Sequence, residues 1–406
     1  MKPRVLLVNK FYYRRGGDCV CVLNLEEMLR ARGHEVAVFA MRHPENLPSP
    51  WESYWAPEVG FAGGAGAKLN AVSRTMGFGS IRRRFRRILR DFRPDVVHVH
   101  NIHSYLSPVV VRIAHDAGIK VVWTLHDYKL LCPSYACLRD GSPCELCFGR
   151  KSQVLATRCM KGSLAASAVA YAEALRWNRS VLSRMTSGFI CPSRFMKEKM
   201  AQGGFPQEKL TVLCNFLAPE MASRMERNAV GGHTREREPY YCYVGRLSVE
   251  KGVGTLLQAA AGLPYELRVA GDGPLAEELR AKYAHCGNIR FLGRLDAEGV
   301  EKLLASARLS VLPSECYENN PLGVIESLCC GTPVVGARIG GIPELISEDT
   351  GVTYPSGDVE ALRASIARAW TTDFDHGGIA TRSLLRFSAT AYYKALCTIY
   401  SDQPRC

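Results

Sequence analysis

Short apolar runs alternate with helix-length segments along this chain in two separate series, and that alternation limits the folds open to it more than any other feature. In the first series the runs are "RVLLVN", "EVAVFA", "DVVHVH", "KVVWTL" and "SGFICPS". They are too short for helices, bounded by polar or Gly/Pro residues, and spaced by helix-length stretches, the pattern of a doubly wound domain around a parallel sheet. The series fills residues 1–216. Residues 217–239 ("LAPEMASRMERNAVGGHTREREP") are polar and broken by Gly and Pro, which predicts a linker. The alternation restarts with "YYCYVGR", "YELRVAGDG", "NIRFLGR", "LSVLPS" and "TPVVGAR" over 240–375. A terminal region, 376–406, contains "FSATAYYKALCTIY", which reads as one amphipathic helix. The expected fold class is α/β, with two Rossmann-like domains. Ligands of open α/β sheets bind beyond the carboxyl ends of the strands, so the chemistry is expected in strand-end loops.

Composition narrows the setting. The 406 residues suffice for two or three domains with sizeable cores. An apolar fraction of 47% with 22% charged residues is ordinary for a globular chain. No run is long enough for a membrane-spanning helix, and the apolar run in "MKPRVLLVNKFYY" is too short for a secretory leader. A cytoplasmic chain is therefore expected, with its 16 cysteines mostly free thiols. The net charge of +13 is partly local, since "SIRRRFRRILRDFR" (80–93) holds seven arginines and one aspartate. Ile81, Phe85, Ile88, Leu89 and Phe92 recur there at helical spacing, predicting a basic amphipathic helix. Its apolar stripe either packs on the domain or dips into an anionic membrane surface. No nucleic-acid motif accompanies the charge, so a nucleic-acid partner is not expected.

The strand-end loops carry the unusual residues. In "SECYENNPLGVIESLCCGTPVV" (314–335) Asn320 suits an N-cap, Pro321 the first helical position, and Gly331 a stop. Glu326 lies mid-helix among Leu322, Val324, Ile325 and Leu328, beyond reach of a capping role. A carboxylate in such company needs a partner, and a ligand would supply one. In "YVGRLSVEKGVG", Arg246 ends a strand and Lys251 stands at the mouth of a helix opened by Gly252 and Gly254. A guanidinium, an ammonium and a helix N-terminus suit a doubly charged anion such as a diphosphate. Gly16 and Gly17 between the first strand and helix allow backbone amides close to a ligand. "TLHDY" ends another strand with His126 and Asp127.

Two patterns are weaker. "AGDGPLA" fits the dinucleotide pattern through Gly271, Gly273 and Ala276, but it follows the second strand of its domain, and Arg294 stands where an acid would bind a ribose. The literal D-x-D of Asp373 and Asp375 lies away from strand ends, so no catalytic metal is expected.

Taken jointly, "YENNPLGVIESLCCGTPVV" with its E-x7-E spacing, "GRLSVEKGV", "AGDGP", "FLGRL", "GGIPELI", "PDVVHVHN" and "TLHDY" resemble the family 4 (group 1) glycosyltransferases of GT-B fold, over nearly the whole chain. The resemblance implies two Rossmann-like domains facing across a cleft, with a C-terminal helix crossing back to the first. It implies a retaining, metal-independent transfer from a UDP- or GDP-linked sugar to a glycan or lipid-linked acceptor, in surface polysaccharide or glycolipid synthesis, at the inner membrane face. Glu326 would accept both ribose hydroxyls, and Glu318 would lie beside the donor sugar. Asn319, Asn320, Pro321, Leu322 and Gly323 would border its hydroxyls or phosphate. Arg246 and Lys251 would hold the diphosphate, Gly16 and Gly17 would face it, and the segment at Arg294 and Leu295 would cover the base. His126 would contact the sugar or phosphate, with Asp127, His100 and Asn101 on the acceptor side. A nucleotide-sugar epimerase of the same fold is the alternative, and an NAD(P)-dependent oxidoreductase a more distant one.

The 132–159 insertion is cysteine-rich. Cys144 and Cys147 have the spacing of a zinc ligand pair, and a second pair from Cys132, Cys137 or Cys159 would complete a tetrahedron. Cys132, Cys144, Cys147 and Cys159 are the candidate structural zinc ligands.

Overall fold

The computed structural model describes residues 2–61, 63–230 and 237–401, and of 226–230 only the helical backbone. It divides into two compact units. One comprises Met1–Cys137, Cys144–Cys214 and Tyr392–Cys406, the other Leu138–Pro143 and Asn215–Ala391.

The first unit is built on a six-stranded parallel sheet. Its strands are β1 (Val5–Val8), β2 (Val36–Phe39), β3 (Val96–Val99), β4 (Lys120–Thr124), β7 (Gly188–Cys191) and β8 (Leu210–Val212), in the order β2-β1-β3-β4-β7-β8. Two-residue strands β5 (Leu138–Arg139) and β6 (Ser142–Pro143) form a separate antiparallel hairpin. All residues of β1, β2 and β3 are buried, which explains their unbroken apolar runs. Val8 pairs with both Phe39 and Val99, and Val99 with Trp123. That register brings the ends of β1, β3 and β4 to one edge, so Asn9, His100 and Leu125 leave the sheet together.

The second unit repeats the plan with β9 (Glu238–Val244), β10 (Glu266–Ala270), β11 (Ile289–Gly293), β12 (Ala307–Leu312), β13 (Val334–Ala337) and β14 (Gly351–Tyr354), ordered β11-β10-β9-β12-β13-β14. Its pairings are parallel throughout. Helix starts follow ordinary capping chemistry. Asp296 accepts from Gly299 N at 2.8 Å, Asp358 from Ala361 N at 2.9 Å, and Asp375 from Gly378 N at 2.8 Å. The last accounts for half of the D-x-D pair: Asp375 is a helix cap.

The arginine-rich segment is a helix over Ile81–Phe92. Its stripe of Ile81, Phe85, Ile88, Leu89 and Phe92 is buried, Phe85 packing edge-on to Phe39 at 5.0 Å and Phe92 to Trp51 at 5.1 Å. The stripe is therefore core, while Arg83, Arg86, Arg87, Arg90 and Arg93 stay exposed.

Two expectations of local structure need correction. Part of the 217–239 linker is a helix, Pro219–Val230. Met221 and Met225, one turn apart, are buried, and Arg224 pairs with Glu301 at 2.9 Å, so tertiary contacts hold a segment whose polarity suggested none. Residues 231–236 lie outside the described residues. The 314–335 helix begins at Leu322 with Pro321 as its cap, not Asn320. The Asn320 carboxamide oxygen instead accepts from Asn215 N at 2.9 Å, and Asn215 donates back to Asn320 O at 2.8 Å. In the terminal region, His376–Arg386 and Ala389–Ser401 are helical, and 402–406 lie outside the described residues.

Truncating Phe85 removes a fully buried ring. Phe85→Ala should cost about 3–5 kcal/mol, moving the urea unfolding midpoint down, while Arg86→Ala on the exposed face should change it by no more than about 0.5 kcal/mol.

Candidate active site

In the second unit the loops leaving β9, β10, β12 and β13 touch backbone to backbone. Gly252 has φ +65°, and a Cβ there would lie 1.9 Å from Pro313 O. A Cβ at Gly271 (φ +142°) would lie 1.8 Å from Gly245 O, and one at Gly273 2.4 Å from Leu247 O. The glycines of the dinucleotide-like pattern are thus explained by loop packing, and nothing about them calls for a cofactor.

This packing brings Lys251 to Glu318. The Lys251 Nζ–Glu318 Oε1 distance is 2.5 Å, and Ser314 Oγ donates to the same oxygen at 2.7 Å. Gly341 N donates to Glu318 O at 2.7 Å, tying the loop after β13 to the same residue. Burial pulls the Lys251 ammonium down, but Glu318, through its charge and hydrogen bond, outweighs that and leaves it above the usual lysine value. Arg246 lies two residues past β9, its side chain exposed, with no hydrogen-bond or ion-pair partner among the described residues; its carbonyl accepts from Tyr243 Oη at 2.8 Å. Arg294 directly follows β11 and is exposed, while Leu295 packs on a core cluster with Tyr240 and Leu303.

Glu326 lies on the helix Leu322–Cys329, between buried Ile325 and Ser327. Its carboxylate makes no hydrogen bond or ion pair among the described residues, and burial alone pushes its pKa above the ordinary glutamate value. Asn319, Pro321, Leu322 and Gly323 are half-buried, and a Cβ at Gly323 would meet nothing within 4 Å.

In the first unit the aligned ends of β1, β3 and β4 gather a second group. Asn101 Nδ2 donates to Asp18 Oδ2 at 3.0 Å and to Asp127 Oδ2 at 3.3 Å. Lys10 Nζ lies 3.7 Å from Asp18, and Asn9 Oδ1 accepts from Asn101 N at 3.0 Å. His100 Nδ1 and His126 Nε2 are 3.0 Å apart. Burial lowers the pKa of both rings, His100 well below the usual histidine value, and burial raises that of Asp127. Gly16 caps the helix Gly17–Ala31 in extended conformation. A Cβ at Gly17 would meet nothing within 4 Å, so packing does not demand glycine there.

The structure thus joins Lys251 with Glu318, and His126 with His100, Asn101 and Asp127. Sequence reading missed Asn9, Lys10, Asp18 and Ser314. Their signal was position: "NK" directly follows β1, Asp18 directly follows the glycine pair, and Ser314 opens the loop after β12.

The expected zinc quartet is not assembled. The thiols of Cys132, Cys137 and Cys147 act on one another instead, lowering the pKa of Cys132 and raising those of Cys137 and Cys147, and Cys132 Sγ lies 3.1 Å from Ser134 Oγ. Cys159 Sγ is bound to Thr157 Oγ1 at 2.8 Å, and Cys144 meets Cys137 through its backbone N–H at 2.8 Å. Among the described residues no group of three or more His, Cys, Asp or Glu side chains stands in metal-holding geometry.

Comparison with known proteins gives matches in both units. The model of the glycosyl transferase 4-like domain matches residues 16–215, and that of glycosyl transferases group 1 matches 238–372. The sulfoquinovosyl transferase SQD2 of Arabidopsis thaliana is 40% identical over 151 residues, 36% of this chain and 28% of that enzyme. The amylovoran biosynthesis glycosyltransferase AmsK of Erwinia amylovora is 29% identical over 192 residues, 43% of this chain and 46% of AmsK. The chain therefore matches less than half the length of either relative. Anabaena HepE, solved in complex with UDP, superposes with a TM-score of 0.64 at 17% identity, covering 98% of this chain and 99% of HepE. With a family model on each unit and one solved fold running through both, the chain belongs to the family 4 (group 1) glycosyltransferases and has their GT-B fold.

Proposed function

We propose that the chain transfers a sugar, with retention of anomeric configuration and without a catalytic metal, from a nucleoside diphosphate sugar to a glycan or lipid-linked acceptor in surface polysaccharide or glycolipid synthesis. The observation that carries this reading is the Glu326 carboxylate, raised in pKa by burial and unpartnered, eight residues after a glutamate already engaged by Lys251. A ribose diol offers two hydroxyl donors to one carboxylate and would relieve that cost. Lys251 and exposed Arg246 are placed to take the diphosphate, whose charge grows as the glycosidic bond breaks. Asn319 to Gly323 would border the sugar, and the backbone at Arg294 and Leu295 the base. The relatives' roles in sulfoquinovosyl transfer and amylovoran synthesis, and the UDP bound to HepE, support donor and product class.

Glu318 is a poor nucleophile as placed, since one oxygen holds both Lys251 and Ser314. A front-face substitution, with the leaving phosphate taking the acceptor's proton, needs no protein nucleophile and keeps configuration. Asp127, His100 and Asn101 would lie on the acceptor side.

The arginine face of Ile81–Phe92 supports a peripheral location at the inner, anionic membrane surface. Arg86, Arg90 and Arg93 line an open groove of about 520 Å³ with Asp116 as its acid. No described helix is long and apolar enough to cross a membrane.

Three measurements test the proposal. UDP or GDP at a hundred times its dissociation constant should stabilise the protein by about 2.7 kcal/mol, with EDTA making no difference and Glu326→Ala losing the shift; stabilisation by neither nucleotide would sink the donor assignment. Lys251→Ala should lower kcat by about 10²–10³-fold, with product anomers read by NMR; an inverted product would refute retention. Reversing Arg83, Arg86 and Arg87 to Glu should weaken binding to phosphatidylserine vesicles by at least about 10²-fold, at about 1 kcal/mol per basic residue; unchanged co-sedimentation would remove the helix from the membrane contact.

A further inference from the structure

The histidines at the ends of β3 and β4 make contacts that restrict where their protons can be. His100 Nδ1 and His126 Nε2 lie 3.0 Å apart, so one of them must donate to the other. His100 Nε2 is buried and has no hydrogen-bond partner. His98, stacked on His100 at 4.3 Å, cannot relieve it, because both of its own ring nitrogens are engaged, with Tyr400 Oη and Thr124 Oγ1 at 2.7 Å each. His126 is only half-buried, and its Nδ1 has no hydrogen-bond partner among the described residues.

Burial keeps both rings neutral at pH 7, so the pair carries two protons. One lies in the bridge. The other lies either on His126 Nδ1 or on His100 Nε2. Two observations choose between these sites. A proton on His100 Nε2 would be a buried N–H with no acceptor, which folded proteins rarely tolerate. The neighbouring carboxylates, Asp18 and Asp127, act on His126, whereas His100 is surrounded by His98 and His126, so a proton is better placed on His126.

We propose that His100 is a positioning residue that donates through Nδ1 to His126 Nε2 and thereby holds His126 as the Nδ1–H tautomer, a hydrogen-bond donor rather than a base. This deepens the transferase reading and rests on it for its catalytic meaning. With Nε2 occupied and Nδ1 protonated, His126 can offer a neutral N–H to an oxygen of the sugar or its phosphate, but it has no lone pair with which to deprotonate the acceptor. The acceptor's proton must leave by another route, as the leaving phosphate in a front-face substitution provides.

The test begins on the full-length protein without substrate, by two-bond ¹H–¹⁵N correlation of histidine rings at pH 7.5, with His126 assigned through His126→Gln. The expected spectrum shows His126 protonated at Nδ1 and bare at Nε2. In His100→Leu, which has no donor, His126 should shift toward the Nε2–H form, and kcat should fall about tenfold for one lost hydrogen bond. His100→Asn, whose amide nitrogen can stand in for Nδ1, should restore the Nδ1–H form and raise kcat above that of His100→Leu. A wild-type His126 carrying its proton on Nε2, or a tautomer unmoved in His100→Leu, would overturn the proposal. Because the spectrum needs no substrate, the two readings fail separately. The Nδ1–H form in a protein that transfers no sugar from UDP or GDP donors upholds the tautomer and counts against the transferase. An active enzyme with the Nε2–H form does the reverse.

Discussion

A methyl group at Gly252 would sit 1.9 Å from the Pro313 carbonyl oxygen, and one at Gly340 would sit 2.2 Å from the Glu318 carbonyl oxygen. These approaches are what the candidate donor site depends on. Lys251 directly precedes Gly252, and Glu318 lies five residues past Pro313, so the loops after β9 and β12 deliver the two side chains to each other only because their backbones can close without a Cβ between them. The left-handed φ of both glycines, +65° and +60°, serves the same purpose. A parallel sheet makes this arrangement available: β9 and β12 are neighbours, so their carboxyl-end loops are neighbours too.

The same constraint explains which parts of the molecule were legible in the sequence. Strands buried on both faces write themselves as continuous apolar runs, so five strands of each sheet could be read directly; the sixth of each, β8 with Thr211 and Val212 exposed and the four-residue β14, was missed. Glu326 stood out because a carboxylate amid Val324, Ile325 and Leu328 breaks the chemistry of its surroundings, and its unpartnered, pKa-raised state is the structural form of that break. Less was readable where a residue's role is set by partners distant in sequence. Asn320 looked like a cap but is held by Asn215, 105 residues away. Pro219–Val230 looked like a linker because its helix is held by buried methionines and by Arg224 on Glu301. The glycines at 271 and 273 looked like a cofactor signature, yet their lack of side chain answers the approach of Gly245 and Leu247.

The cysteine insertion shows a third kind of limit. Spacing can identify candidate ligands but not which sulfurs converge. Tyr135 and Cys137 both take left-handed backbone, at φ +64° and +48°, and the Cys137 sulfur joins Cys132 and Cys147. Cys144, the more regular choice by spacing, meets that cluster through its backbone. Non-glycine residues in the left-handed region are uncommon and persist where surrounding contacts hold them. Here the contacts include backbone hydrogen bonds: Tyr135 N donates to Cys132 O at 2.7 Å, Tyr135 O accepts from Tyr128 N at 3.2 Å, and Cys137 O accepts from Cys144 N at 2.8 Å.

His126 is held through its ring: His100, backed by His98 with Tyr400 and Thr124, stands behind it. Burial keeps these imidazoles neutral, so they can pass on hydrogen-bond direction without storing charge in the core. Beside them Lys10 and Asp18 offset one another, and Asp127 is bridged by Asn101. On the proposed reading, an N–H held on His126 would bind an oxygen whose negative charge rises along the reaction without first having to lose or gain a proton.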